Sequence, residues 1–247
     1  CTVQSIGLRQ AVILMAKWDI QDGFWRLNCR EGEEWNFCYV WPQKAGEPTC
    51  LIVPNSLQMG WVESAPYFCV ASETARDVAV DYIETEVGAL PTHKFSHWAG
   101  ADKALVGAPT EPGRRLVRYL VEVYVDDFIA CIIPTTKQQV EHVTRGILHG
   151  IHDVFPPSKD NGTDPISDKK LRKGKGTFET SKCLLGFEFN GVKKTIWLED
   201  KKRASLLQIL HHWIRGAAKG KRGIPFAEFE SIVAKLRHPF TALREGH

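Results

Sequence analysis

Residues 116–133 read LVRYLVEVYVDDFIACII, and this stretch decides the fold. Two arms rich in Val, Ile, Leu and Tyr flank the pair Asp126-Asp127, the composition of paired strands. The pattern predicts a β-hairpin whose tip presents two carboxylates. Adjacent acids beside apolar strands repel one another, and such a pair is easily tolerated where cations gather. Aspartate is also a common turn residue. A plain turn and a cation site are both open at this point.

Working outward, residues 11–20, AVILMAKWDI, form an apolar run closed by an acid and read as a buried strand with Asp19 at its tip. Hard divalent cations such as Mg²⁺ take oxygen ligands, and three carboxylates converging from separate strands would suit a two-metal centre for phosphoryl transfer. Residues 34–41, EWNFCYVW, read as a further strand. A helix is expected from Ser64-Ala65-Pro66, with Pro66 in the first turn, where its missing N–H is harmless. Its apolar and small positions Phe68, Ser72, Ala75, Ala79 and Ile83 recur by four or three and define one narrow buried face. Because small residues dominate that face, something must approach it closely. Beyond the hairpin, Thr136 and Gln139 have the spacing of a capping box, ahead of a helix with Val140, Val143, Ile147 and Ile151 on its inner face. Residues 88–115 and 156–176 read as loops. Asn190-Gly191, inside LLGFEFNGVKKTIWL at 184–198, is the strongest short hairpin signal in the chain. The remainder reads as two helices, one carrying Leu206, Leu210 and Trp213, the other starting at Pro225 with Phe226, Phe229, Val233 and Leu236 inside.

A chain of 247 residues, 43% hydrophobic and 25% charged, can build one large or two small globular domains. No stretch approaches the roughly 18 uninterrupted apolar residues of a membrane span. The cysteines number seven, an odd count, with no C-x-x-C pair, which favours free thiols over a disulfide framework; Cys69 and Cys131 read as core filler. The net charge of +3 hides an asymmetry: residues 1–167 hold 14 Lys/Arg against 21 Asp/Glu, and residues 168–247 hold 18 against 8. A basic C-terminal part suggests a polyanion partner, with a solvated surface as the plainer reading. The pairs His93/His97, His149/His152 and His211/His212 lack a Cys or Glu at zinc spacing and read as surface or helix-face residues. No P-loop string occurs. An opening Cys1 in place of Met is expected of a piece of a longer protein.

The local strings carry a resemblance. Tyr124-Val125-Asp126-Asp127 matches the Y-x-D-D box of retroelement reverse transcriptases, and Lys17-Trp18-Asp19-Ile20-Gln21-Asp22-Gly23-Phe24-Trp25 is similar to that family's first acidic motif. Leu57-Gln58-Met59-Gly60-Trp61, followed by Ser64-Ala65-Pro66-Tyr67-Phe68, resembles the segment that opens the long palm helix. Leu184-Leu185-Gly186-Phe187-Glu188-Phe189 resembles the primer-grip hairpin. All four stand in the family's order, over about residues 11–198, and look closest to its retrotransposon branch.

The resemblance implies an α+β fold: a right-hand polymerase palm of antiparallel sheet and packed helices over residues 1–198, with partial fingers at about 25–63 and the primer-grip hairpin at 184–198. A helical thumb or connection portion would follow over 199–247. It implies RNA-directed DNA polymerase activity, with Asp19, Asp126 and Asp127 as catalytic acids. Two Mg²⁺ ions, or Mn²⁺ in their place, would be held by these acids and Ile20. Ile20, Gln21, Asp22, Gly23, Phe24, Met59, Gly60 and Tyr124 would meet the incoming dNTP. Phe24 would exclude a ribose 2′-hydroxyl, unless it is only a core aromatic. Trp61, Gly186, Phe187, Trp197, Lys201, Lys202, Arg203, Lys221 and Arg222 would contact the primer-template, an RNA/DNA hybrid. A second copy of the chain or the rest of a retroelement polyprotein would be further partners, and no membrane is implied. Phe24 and the Y-x-D-D box argue against an RNA-directed RNA polymerase. The short run ahead of Asp19 is expected to lack the early fingers strands, which leaves a catalytically inactive palm-and-thumb remnant as the alternative and predicts uncovered apolar surface before residue 60.

Overall fold

The apolar run ahead of Asp19 forms strand β1, Leu14–Asp19, in the computed structural model, which describes residues 11–98, 118–134, 136–158, 162–218, 223 and 225–240. All of β1 except Lys17 is buried. The later strand Asp127–Ile133 pairs along one edge, and the other edge is also bonded: Met15 N–H donates to Glu179 O (2.8 Å), Glu179 N–H to Met15 O (3.0 Å) and Lys17 N–H to Lys175 O (3.2 Å). A strand enclosed in this way needs no alternation, which is why its sequence is a nearly continuous apolar run.

The strand expected at 34–41 is mostly absent. Glu34–Phe37 is a 3₁₀ turn, and only β2, Tyr39–Val40, pairs with β3, Leu51–Ile52. Two-residue pairings offer no sheet face to bury against, so Trp35, Tyr39, Trp41 and Leu51 stay exposed, as do Trp25, Met59 and Val62. Up to Met59, this is the uncovered apolar surface expected before residue 60.

Helix α1, Ser64–Ile83, buries Ser64, Phe68, Ser72, Ala75, Ala79 and Ile83, the face expected from its spacing. Strands β4, Arg118–Tyr124, and β5, Asp127–Ile133, form the hairpin, and the sheet order is β1-β5-β4 with all pairs antiparallel. Helix α2, Lys137–Val154, opens with the capping box: Thr136 Oγ1 accepts from Gln139 N–H, and Gln139 Oε1 accepts from Thr136 N–H, both at 3.3 Å. Val140, Val143, Ile147 and Ile151 are fully buried, each worth about 1.5–3 kcal/mol.

The close neighbour that the small face of α1 demands is α2. A Cβ built on Gly150 would lie 2.6 Å from Ala79 N, and one on Gly146 would lie 2.5 Å from Ile83 Cγ1. Only glycine lets these backbones approach so far. Cys69 and Cys131 are half-buried, not core. The loop expected at 156–176 contains a short helix α3, Asp168–Arg172, anchored by buried Leu171. Of the loop expected at 88–115, residues 99–115 lie outside the described residues.

The chain divides into two compact units, Leu14–Glu179 and one built from the residues after it, to which Ile13 is joined. The division precedes residues 184–198, which therefore group with the C-terminal helices and not with the sheet described above. The second unit holds a three-stranded antiparallel sheet of β6 (Ser181–Leu184), β7 (Phe187–Asn190) and β8 (Thr195–Leu198). Its tight turn is Leu185-Gly186, both at positive φ (50° and 80°), as a two-residue hairpin loop of the favoured twist requires. Asn190-Gly191 instead opens a longer loop, because Asn190 Oδ1 accepts from Val192 N–H (3.1 Å) and Lys193 N–H (2.8 Å). Helices α4, Asp200–Ala218, and α5, Phe226–Phe240, follow, tied by Trp213 Nε1–H donating to Glu228 Oε1 at 2.8 Å. Leu206, Leu210 and Trp213 are half-buried as a face. Phe226 and Phe229 are exposed, and Ile232 takes the buried position expected of them.

The described residues thus form a mixed α+β protein with small antiparallel sheets. Among them, no helix is long and apolar enough to cross a membrane.

Candidate active site

Asp19 ends β1 and stands directly opposite Asp127, the first residue of β5. Cross-strand partners point to one face, so both carboxylates emerge on the side of Met15 and Lys17, away from the buried Trp18/Phe128 pair. Between β4 and β5 the chain reverses in two residues, Val125 and Asp126. Val125 has φ +56°, the left-handed region that a β-branched residue rarely enters. The turn is clamped to the strand beyond Asp19 by Ile20 N–H donating to Asp126 O at 2.9 Å.

The acids are unequally compensated. Asp19 is 5% exposed; one oxygen pairs with the ammonium of Lys170, and the other, Oδ1, is buried with no hydrogen-bond partner. Asp127 Oδ2 accepts from Lys17 Nζ at 2.6 Å. Asp126 is exposed at the turn, yet partial desolvation of its carboxyl raises its pKa above the ordinary carboxylate range; its own backbone N–H opposes the shift, Asp127 and Asp19 add to it, and Lys170 pushes back. Among the described residues, no three acidic, His or Cys side chains close into a cation cage. The arrangement is an open rim of acids with one unsatisfied buried oxygen, which suits a hard cation that keeps water and phosphate oxygens among its ligands.

Ile20, Gln21, Asp22, Gly23, Phe24, Met59 and Asp126 all line one cavity of about 320 Å³, with Trp25, Phe68, Val125 and Lys170. Seven residues singled out from three separate stretches of sequence therefore meet in one place. Asp22 turns the chain at φ +58°, and Arg26 fixes the bend by donating from Nε to Gln21 O (2.6 Å) and from a terminal nitrogen to Asp164 O (2.7 Å). A Cβ on Gly23 would fall 2.8 Å from Phe68 Cζ, so the absence of a side chain there admits the Phe68 ring. Phe24 packs edge-on against that ring at 5.3 Å and still faces the cavity. It is at once a packed aromatic and part of the wall.

The other expected residues lie elsewhere. Tyr124, opposite Asp127, is exposed and does not line the cavity. Gly60 makes a turn at φ +97°. Trp61 stacks on Tyr67 at 5.9 Å and lines a second, largely apolar cavity of about 950 Å³ with Leu27, Phe37 and Leu57. Gly186, Phe187, Trp197, Lys201, Lys202 and Arg203 belong to the second unit. There Phe187 is buried, Trp197 is at the surface and the three basic residues are exposed on α4. Lys221 and Arg222 lie outside the described residues.

No family model and no curated protein matches the chain.

Three contributors to the site were not expected from the sequence. Lys17 had a signal, since Met15, Lys17 and Asp19 share a face by alternation. Lys170, 151 residues from its partner Asp19, had none beyond membership of a basic run. Arg26 gave none. The histidines divide: His97, His211 and His212 are exposed as expected, but His93 is buried and bonded to His152, a contact between a loop and α2.

Proposed function

We propose that the chain is the RNA-directed DNA polymerase domain of a retrotransposon, adding deoxynucleotides to a primer 3′-hydroxyl on an RNA or DNA template. One observation carries the reading: Asp19 and Asp127 stand in cross-strand register, and Asp126, at the β4–β5 turn beside them, lines a cavity walled by Ile20 to Phe24. The α+β unit would then be the palm, residues 25–63 part of the fingers and α4–α5 the thumb.

The acids fit a pair of Mg²⁺ ions, for the unpartnered Asp19 Oδ1 and the mutual repulsion that raises the Asp126 proton affinity are both relieved by positive charge. Asp19, Asp126 and Asp127, with the Ile20 backbone, would hold them. Bound there, such ions supply activation of the 3′-hydroxyl and neutralisation of phosphate charge. The residues of the chain do the rest. The Ile20–Gly23 backbone would receive the triphosphate, and Lys170 offers it an ammonium from the cavity wall. Phe24, braced by Phe68, would lie under the sugar and leave no room for a 2′-hydroxyl. Trp61 and Met59 would meet base or template by stacking. The exposed Lys201, Lys202 and Arg203 would bind phosphates without sequence preference and in a salt-sensitive way.

Primer extension on an RNA template with Mg²⁺ and dNTPs, alongside Asp126→Asn, tests the reading. Extension by the wild type that the variant loses supports it. A second reading, a nucleic-acid-binding remnant, is favoured by one feature: both Asp19 and Asp127 already hold lysines. Salt-sensitive binding to a primed hybrid without extension would select that reading instead.

A further inference from the structure

Behind the cavity runs a continuous hydrogen-bonded chain of side chains. Phe95 N–H donates to His93 Nδ1 (3.2 Å), so the proton of a neutral His93 sits on Nε2. That N–H faces His152 Nδ1 at 2.8 Å, which leaves the His152 proton on Nε2, 2.9 Å from Asp164 Oδ1. Asp164 Oδ1 also accepts from Ile166 N–H at 2.9 Å, and Lys94 pairs with the other oxygen. Both ring nitrogens of both histidines are used, in a single direction, with no tautomer left to choose.

The far end of this chain holds the site. Pro165 O accepts from Gln21 N–H at 2.7 Å, Ile166 forms a β-bridge with Ile20, and Arg26 links Asp164 O to Gln21 O. Helix α3, with Lys170, begins two residues after Ile166. Asp164–Ile166 is thus the backbone support of one wall of the cavity, and the histidines fasten that support to α2 and to the loop after α1. We propose that His93, His152 and Asp164 are positioning residues that hold Ile20, Gln21 and Lys170 in place for the triphosphate of an incoming nucleotide. The proposal rests on the polymerase reading and gives that site a specific nucleotide-binding support. A carboxylate that orients a histidine, which orients a further group, is a common way of fixing a functional geometry from behind.

The test uses the full chain and two variants. His152→Leu removes the link; His152→Gln can still donate to Asp164. Amide hydrogen exchange is read at Gln21 and, as a control, at Ala130 in β5, together with dNTP kinetics. In His152→Leu, Gln21 should exchange about tenfold faster with Ala130 unchanged, and KM for dNTP should rise about fivefold or more while kcat stays within about threefold. His152→Gln should recover most of both. If His152→Leu does not fold, His93→Leu, which leaves His152 on Asp164, takes its place with the same direction expected. Unchanged Gln21 exchange, a loss confined to kcat, or a His152→Gln variant as impaired as His152→Leu overturns the proposal. If wild-type extension is absent or survives Asp126→Asn, the polymerase reading is what fails, and Gln21 exchange still decides whether the chain holds this wall.

Discussion

The ammonium of Lys170 is paired with the carboxylate of Asp19, one residue on a short helix and the other at the end of a strand 151 positions earlier. Lys170 is half-exposed and Asp19 is buried, so the acid depends on the pair more than the lysine does. Lys170→Met should lower stability by about 1 kcal/mol in the absence of divalent cations, because it leaves a buried carboxylate without its partner. Millimolar Mg²⁺ should restore more stability to the variant than to the wild type. Urea unfolding with and without Mg²⁺ measures both, and an equal Mg²⁺ effect on the two proteins would count against a cation at Asp19.

Asp126 carries a proton affinity raised by partial desolvation and by its acidic neighbours. Its folded state therefore binds a proton more readily than the unfolded chain. The sign follows: stability falls as pH rises through the ordinary carboxylate range toward the raised value, and the ionised group is a cost at neutral pH. Asp126→Asn should raise the melting temperature at pH 7 and lower extension by at least about 10³-fold. A variant that loses both stability and activity would contradict this.

His93 shows the opposite dependence. Burial, then His152, His149 and Lys94, hold its pKa down to about 3. The unfolded chain takes up the proton near the ordinary histidine value of about 6.5, so the contribution of His93 to stability is complete above that pH. It declines as pH falls from about 6.5 toward about 3. Thermal melts at a series of pH values should show this decline, and His93→Phe should flatten it.

Gly150 and Ala79 are in backbone contact where α2 crosses α1. Gly150→Ala should destabilise by about 1–3 kcal/mol, despite the better helix propensity of alanine, because a backbone atom cannot move aside as a side-chain tip can. Gly32→Ala, on an open turn at φ +86°, meets no neighbour and tests strain without crowding.

Phe24 stands between Phe68 and the cavity. Phe24→Val should increase use of ribonucleotides relative to deoxynucleotides by roughly 10- to 100-fold, with a modest fall in melting temperature from the lost Phe68 contact. Competition assays with paired dNTP and rNTP read the ratio directly.

What could be read from the sequence was local and periodic. The α1 face from Phe68 to Ile83 repeats at helical spacing, the Thr136/Gln139 cap is a four-residue pattern, and Asp126-Asp127 sits between arms of strand composition. Each depends on neighbours along the chain, so the sequence alone contains it. Residues 34–41 misled because aromatic content suits a strand only when a sheet exists to receive it, and here the pairing is two residues long. Asn190-Gly191 did mark the β7–β8 hairpin, but its loop runs on to Lys194 because the asparagine side chain captures two amides. The pairings of Lys170 with Asp19 and of His93 with His152 could not be read at all. The partners lie 151 and 59 residues apart, and nothing in their immediate neighbours encodes that distance.

The turn at Val125-Asp126 has a consequence for how this gene can vary. Side chains on a strand alternate between faces, so the two-residue loop fixes which way every residue of β5 points. A substitution at Val125 changes strain or cavity shape by degrees. One codon inserted or deleted there would send Asp127 into the place of Phe128, and Phe128 out among the carboxylates. Residue 125 can therefore vary in identity where the length of the loop cannot.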